Sequence, residues 1–502
     1  MARSLFGRNN KQSKKAQTGK WTADLQALHL DLFCHLTYMA AISTSGISRE
    51  GLFRYSSTVP LQSNHYFKKI NVVAKAFNHD YAESCRIVGD SVQELDAKSL
   101  LLRLGGALSS GENVSNFLEK EAEVASEKYS SHYEGRLESL QKWTDAYVAL
   151  IMTSAIVVVM TVVTLIIGNS SPIFILGFGT LTVLVTIAGV WLIYASAPRE
   201  NITHNLAVRS KGMNTANFFF RFGLPLGGFL TTLALIAGLP LGACLIIAGI
   251  FCFPLGMAAV TDANRITKFE SDIGGFLRSL GGVAQATNIT INEALSRLDF
   301  RSMVSLKEAA NLLYVRILSG IDARLCWDRL VAETGSELVV RSTRIFLDSI
   351  AIGGEAERVG REASAFALKI SLLRVKRSTV AAGFLWLAII MHLVLVSLVL
   401  FIFETMGQFS NLVSTIMPAG ATVSGMPSFG IFSAGSGQMG LMEFMVLGVV
   451  MVLTVANPLA VYVAGGGHFY KLFYYLSMTL CLSGGALLIV PKVVTMMFQI
   501  MG

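Results

Sequence analysis

The residues able to do chemistry in this chain are few, and their spacing does not assemble a catalytic centre. The only Gly-Lys pair, Gly19-Lys20, is followed by Trp21, so no G-x-x-x-x-G-K-[ST] loop is present to cradle nucleotide phosphates. There is no H-E-x-x-H, and no G-x-S-x-G followed by triad partners. The six cysteines form no C-x-x-C pair. Cys34, Cys85 and Cys326 lie in charged segments, while Cys244, Cys252 and Cys481 lie in apolar ones. Reduced or buried thiols are expected, with no disulfide framework and no metal site. His392 is the one titratable group deep in an apolar run. There it would either relay protons or make an interhelical hydrogen bond, and the bond is the expectation. Asn457-Pro458, inside another apolar run, would kink a helix. No catalytic residue, cofactor or metal is expected, and the chain reads as a non-enzyme.

The remaining chemistry is basic. Lys369, Arg374, Lys376 and Arg377 cluster just before an apolar run, and Arg199, Arg209, Lys211 and Arg221 share a short segment with one acid, Glu200. Such groups anchor a membrane protein by the positive-inside bias, and they also offer a surface to acidic partners. The first twenty residues hold Arg3, Arg8, Lys11, Lys14, Lys15 and Lys20 with no acid. They read as a basic disordered tail, with attraction to anionic membrane lipids as the sharper alternative. No aromatic platform accompanies them, so nucleic acid is not an expected partner, and the net charge of +8 is largely topological.

The elements that must position these residues are set by where charge is missing. The chain has 502 residues, 53% hydrophobic and 15% charged, with a mean hydropathy of +0.55. Soluble domains average about 25% charged. No Asp, Glu, Lys or Arg lies between Asp145 and Arg199, Arg221 and Asp262, Arg377 and Glu404, or Glu443 and Lys471. A charge at mid-bilayer costs at least about 2.5–3.5 kcal/mol, so these gaps mark the membrane. A span needs about 20 residues. Gly168-Asn169-Ser170-Ser171-Pro172 and Gly238-Leu239-Pro240 each divide a long gap into two, and single spans follow near 380–403, 441–464 and 472–495. This gives about seven transmembrane helices. Glycines at 407, 420, 425, 430, 435, 437 and 440 predict a Gly/Ser-rich extracytoplasmic loop over 404–440.

With the N-terminus inside and the C-terminus outside, segments 1–145, 198–221, 261–379 and 465–471 hold 40 of the 41 Lys and Arg residues. The organisation is then a tail at 1–20, a first cytoplasmic helical domain at 21–145, and four spans at 146–260 with the basic loop 198–221. A second cytoplasmic domain occupies 261–379, a span 380–403, and two spans with the C-terminus 441–502. Both domains read as helical bundles. Leu25, Leu28, Leu32, Leu36 and Met39 form an apolar stripe in one, and Ile273, Phe276, Leu277 and Leu280 in the other. They also look like two copies of one unit. Gly46-Ile47-Ser48 parallels Asn288-Ile289-Thr290, and Ser110-Gly111 parallels Ser319-Gly320, which makes Gly46, Gly111, Asn288 and Gly320 turn positions.

Gly274-Gly275-Phe276-Leu277-Arg278-Ser279-Leu280, Asn288 to Leu295, and Ser319-Gly320 carry a resemblance, together with the duplicated domain and the spans that follow each copy. The chain resembles the platform proteins of type IV pilus, type II secretion and archaellum machines (the GspF/PilC/TadC/FlaJ superfamily), and within it the archaeal FlaJ branch. Asn288 replaces the glycine usual in that turn, and Asn also accepts φ > 0. The resemblance implies a cell-membrane scaffold for an extracellular filament. It implies three kinds of partner: a cytoplasmic hexameric ATPase, pilin- or archaellin-like subunits, and a second copy in a homodimer. Lys369, Arg374, Lys376, Arg377, Arg199, Arg209 and Lys211 are then candidates for an exposed motor-binding surface. Gly223, Gly227, Gly228, Gly238, Gly242, Gly249 and Gly256 lie in the spans, where small residues are expected to serve close helix packing, and small-residue grooves could also recruit subunit helices. The alternative is a secondary transporter or channel with large cytoplasmic regulatory domains, which the glycine-rich spans keep open.

Overall fold

The computed structural model describes residues 25–167, 172–204, 210–301, 303–416 and 436–501. The fold there is all-α, with one isolated antiparallel bridge between Thr203 and Ser336. Among the described residues seven helices are long and apolar enough to cross a membrane, so the chain is a multi-pass membrane protein. The basic tail 1–20 lies outside the described residues.

The residues fall into two compact units. The first, 25–40 with 47–129, contains α1 (Leu25–Ser43), α2 (Arg49–Ser56), α3 (Asn64–Phe77), α4 (Tyr81–Ser91), α5 (Leu95–Ser110) and the start of α6 (Val114–Ile167). Phe53, Phe67, Ile70, Cys85, Ala97, Leu104 and Leu118 are fully buried in it. So is His35, whose ring nitrogens bond the hydroxyls of Ser63 at 2.9 Å and Ser56 at 2.5 Å. Burial pushes its pKa down to about 3, with the Ser56 contact opposing.

The second unit, 41–46 with 130–501, holds the rest of α6 and α7 (Pro172–Ser196), α8 (Lys211–Phe218), α9 (Leu224–Ile236), α10 (Leu241–Thr287) and α11 (Ile291–Ala294). It continues with α12 (Lys307–Leu318), α13 (Ala323–Thr334), α14 (Glu337–Ala351), α15 (Ala356–Ile416), α16 (Ser436–Gly465) and α17 (Lys471–Met501). A π-turn, Phe219–Gly223, joins α8 to α9. No chain break separates the second charged domain from its spans. The 47 residues of α10, roughly 70 Å at 1.5 Å per residue, and the longer α15 each run from one into the other. The loop expected from 404 is helical to Ile416 and again from Ser436, and 417–435 lies outside the described residues. Gly407 alone costs a helix about 1 kcal/mol, too little to end one that meets no proline before Pro418.

Close backbone approach fixes α10 against its neighbours. Gly242, Gly249 and Gly256, seven residues apart, face α17. A Cβ on Gly242 would lie 2.7 Å from the Gly484 carbonyl oxygen, one on Gly249 would lie 2.7 Å from Cys481 Sγ, and one on Gly256 would overlap the backbone of Tyr474. Further down, Gly281 meets the Ala356 carbonyl, and a Cβ on Gly360 would lie 2.8 Å from the Leu277 carbonyl, so α15 is clamped as closely. Small residues permit this approach where lipid supplies no hydrophobic drive. Gly242, Gly249 and Gly256 thus serve the close helix packing expected of them, against α17, and Gly227 packs against Phe251.

The two landmark turns share their geometry. Gly46 (φ +68°) and Asn288 (φ +51°) are left-handed, and each is followed two residues on by an N-cap hydroxyl. Ser48 Oγ accepts from Gly51 N, and Thr290 Oγ1 from Glu293 N. Gly111 (φ +75°) and Gly320 (φ +79°) each stand three residues before the next helix, α6 at Val114 and α13 at Ala323. Between Gly46 and Gly111 lie α2 to α5, and between Asn288 and Gly320 lie α11 and α12.

Candidate functional site

Beside the spans of the second unit lies a buried ion network. α7 ends at Ser196, and the segment after it carries Glu200, whose side chain is 1% exposed. α15 carries Arg374 and Arg377 three residues apart, hence on one face, and α10 carries Glu270 on the apolar face of Ile266, Ile273 and Leu277. Arg374 donates from Nε to Glu200 Oε2 at 3.0 Å and from Nη1 to Glu270 Oε1 at 2.5 Å. Tyr133 of α6 donates its hydroxyl to Glu200 Oε1 at 2.7 Å, and Ser336 donates to Glu270 Oε1 at 2.5 Å. Ser336 is also the N-cap of α14, accepting from Leu338 N and Val339 N.

Arg377 completes the network. Its Nη1 lies 3.7 Å from Glu200 Oε1, and it donates to the carbonyls of Ala464 (3.0 Å), Pro198 (2.9 Å) and Val463 (3.2 Å). It thus caps the end of α16, where unpaired carbonyls and the helix dipole favour a cation. Arg136 does the same for α7, donating to the carbonyls of Ala195 and Ala197 at 3.0 Å each. Two buried guanidinium groups balance two buried carboxylates. Burial alone pushes the Glu200 carboxyl upward, but Arg374, Arg377 and the Tyr133 hydroxyl outweigh it and hold it below the usual carboxylate value.

The segment before α8 is tied to the second domain as well. Glu337 N donates to the Ile202 carbonyl (3.0 Å), His204 N to the Gly335 carbonyl (3.3 Å), and Ser210 Oγ to Asp262 Oδ2 of α10 (2.8 Å). A cavity of about 90 Å³ lies against the network, lined by Glu200, Asp262, Glu270, Arg374, Arg377 and Lys471 among others. Ser336 is fully buried, and the carboxylate beside it is held by Arg374. The arrangement is a strut joining α6, α7, α10, α14, α15 and α16.

Two curated proteins are similar to this chain. The chain is 23% identical over 365 residues to flagella accessory protein J of Methanocaldococcus jannaschii, covering 68% of this chain and 64% of that protein. It is 21% identical over 379 residues to flagella accessory protein J of Methanococcus voltae, covering 70% and 65%. The chain is FlaJ-like. The matches span just under two thirds of those relatives' length. No protein-family model and no solved structure matches.

In this FlaJ-like chain the basic residues singled out from sequence do not form one exposed surface. Arg374 and Arg377, with side chains 8% and 5% exposed, are not available to a partner. Long-range acids and helix-end carbonyls claim them. Lys376 is exposed and pairs with Glu134 of α6. Lys369 is half-buried. Arg199 is exposed and stacks over the Tyr194 ring at 5.4 Å. Arg209 lies outside the described residues, and Lys211 is described only as the first residue of α8. The functional residues not singled out were Glu200, Glu270, Tyr133, Arg136 and Ser336. Two signals pointed to them: Glu200 as the lone acid of a basic segment, and Glu270 as an acid on an apolar helical face.

Within the spans, His392 is fully buried and bonded on both sides. Its Nδ1 accepts from Asn457 Nδ2 (3.0 Å) and its Nε2 faces Ser483 Oγ (2.9 Å), while Tyr147 donates to Asn457 Oδ1 (2.8 Å). The chain of bonds links α6, α15, α16 and α17, and α16 continues through Pro458.

Proposed function

We propose that the chain is the membrane platform on which an archaellum or related type IV pilus-like filament is assembled, and that it passes work from a cytoplasmic hexameric ATPase to filament subunits in the bilayer. The observation that carries this reading is the similarity to flagella accessory protein J in two organisms, joined to a fold in which α10 and α15 run unbroken from a charged domain into the membrane. A displacement of that domain reaches the spans through stiff helices, glycine-clamped contacts and a buried ion network, without a flexible linker. The N-terminus and both charged domains face the cytoplasm, where 40 of 41 basic residues then lie, and the C-terminus faces out. The chain is a scaffold rather than an enzyme.

The test is co-purification. The full chain in nanodiscs should retain the hexameric ATPase of the same cells, and a strain lacking the chain should be bald. Substrate-dependent flux through proteoliposomes of the purified chain, without ATPase retention, would favour a transporter instead.

A further inference from the structure

Where α8 packs on α10 the surface carries a groove of about 550 Å³, within the roughly 300–1,000 Å³ usual for a ligand site. The residue types explain the hollow. Pro254 and Ala258 are short and stand one turn apart on α10, the wall from α8 is Gly212 and Thr215, and Phe253 and Met257 rise beside them, 45% and 46% exposed. These α10 residues belong to the charge-free stretch before Asp262, which lipid surrounds. The other end of the groove is ionic. Arg265 lines it, three residues or about 4.5 Å along the helix beyond Asp262, and Lys268 follows one turn on, on the same side. Both are exposed. Arg265 stacks over the Phe269 ring at 5.0 Å, and neither cation has a carboxylate at ion-pair distance among the described residues. The nearby acids are spoken for. Asp262 is 6% exposed, accepts from Ser210 Oγ, and is covered by α8 so closely that a Cβ on Gly212 would lie 2.6 Å from its Oδ1. Glu270 is held by Arg374, and Asp272, one turn past Lys268, accepts from Ser305 N at 3.0 Å.

We propose that this groove binds one anionic phospholipid from the leaflet on the charged-domain side, its acyl chain along Phe253, Pro254 and Met257 and its phosphate on Arg265 and Lys268. Charge complementarity argues for that occupant. The groove runs from hydrocarbon to two cations that no acid of the described residues pairs, and a basic recess at the end of a span selects anionic headgroups. The guanidinium meets a phosphate through parallel N–H donors, and the lysine adds a second charge. A zwitterionic headgroup brings its own cation to the phosphate and gains less. A second groove supplies the contrast. Between α15 and α17 lies a hollow of about 400 Å³, lined by Ser397, Phe401, Ile489 and other uncharged side chains. It has room for an acyl chain and offers a headgroup nothing ionic.

The test is native mass spectrometry of the full chain in detergent, titrated with phosphatidylglycerol or with phosphatidylcholine of the same acyl chains. The wild type should hold one phosphatidylglycerol with an affinity about tenfold or more above that for phosphatidylcholine. Arg265→Gln with Lys268→Gln should abolish the preference while leaving the thermal midpoint of the lipid-free chain unchanged, and Arg265→Lys should keep most of it. Ala258→Trp, which fills the hollow, should weaken phosphatidylglycerol binding, whereas Ser397→Trp in the uncharged groove should not. Equal affinity for the two lipids, or a preference that survives in R265Q/K268Q, would overturn the proposal. So would loss of the preference in S397W but not in A258W, or displacement of the lipid by inorganic phosphate, which would make the site one for the free anion.

Discussion

Replacing Arg374 with Met removes the centre of the buried network while keeping most of the side-chain volume. Glu270 is then left with only the Ser336 hydroxyl, and Glu200 keeps Arg377 at 3.7 Å and the Tyr133 hydroxyl. Breaking a buried pair from one side costs about 3–5 kcal/mol, because the stranded charge stays desolvated. For a unit of this size each kcal/mol shifts the thermal midpoint by about 2–4 °C, so the fall should be roughly 10 °C. The pH dependence separates this from a packing defect. In the wild type the depressed pKa of Glu200 contributes stability that is present above the ordinary carboxylate value of 4.5. That contribution is lost as pH falls through the lower folded value. In R374M Glu200 loses the largest of the charges that hold its pKa down, so the gap to wild type should be widest at neutral pH and narrow as pH falls below 4.5. Glu270→Gln added to R374M should recover part of the loss, a coupling that a double-mutant cycle reads directly. Tryptophan fluorescence on heating the chain in nanodiscs supplies the midpoints. A deficit under 1 kcal/mol in R374M, or an equal deficit in the exposed Lys376→Gln, would mean that the buried network does not hold the unit together.

Three further outcomes follow from other parts of the fold. Gly256→Leu should destabilise the spans by about 1–3 kcal/mol or more through overpacking against the Tyr474 backbone, whereas Gly228→Leu, which meets open space, should leave the midpoint unchanged. His35, neutral in the folded first unit, contributes stability that is full above its ordinary pKa of 6.5 and is lost as pH falls from there to about 3. Amide exchange over α2 to α5 should accelerate across that window and show a flatter response in His35→Gln. An impermeant thiol reagent on intact cells should label Leu239→Cys, in the turn between α9 and α10, and spare Lys307→Cys. The opposite pattern would reverse the orientation.

The spans were legible because charge is so costly in lipid: the charge-free windows hold the long apolar helices, two each in the first two windows, and Gly238-Leu239-Pro240 became a turn. The four turn positions were legible because left-handed backbone demands Gly or Asn, and Gly46, Gly111, Asn288 and Gly320 all have positive φ. The end of α15 was not. A count of glycines outweighed the absence of proline before Pro418, and the helix runs on to Ile416. The basic cluster was misread for a different reason. Four cations before a span look like an exposed face, yet Arg374 and Arg377 are buried by acids and carbonyls up to 179 residues away in sequence. No local pattern carries that pairing. It also follows that Arg374, Lys376 and Arg377 cannot be changed together as a test of a docking surface, because two of the three hold the fold.

Whether this chain is the platform of a filament machine is read from a count of surface filaments per cell. Electron microscopy should compare a strain deleted for the chain with the same strain carrying the wild type or R374M at matched membrane abundance. Bald deleted cells, restored by the wild type and few-filamented with R374M, are the result predicted. Deleted cells with a normal complement of filaments would contradict it.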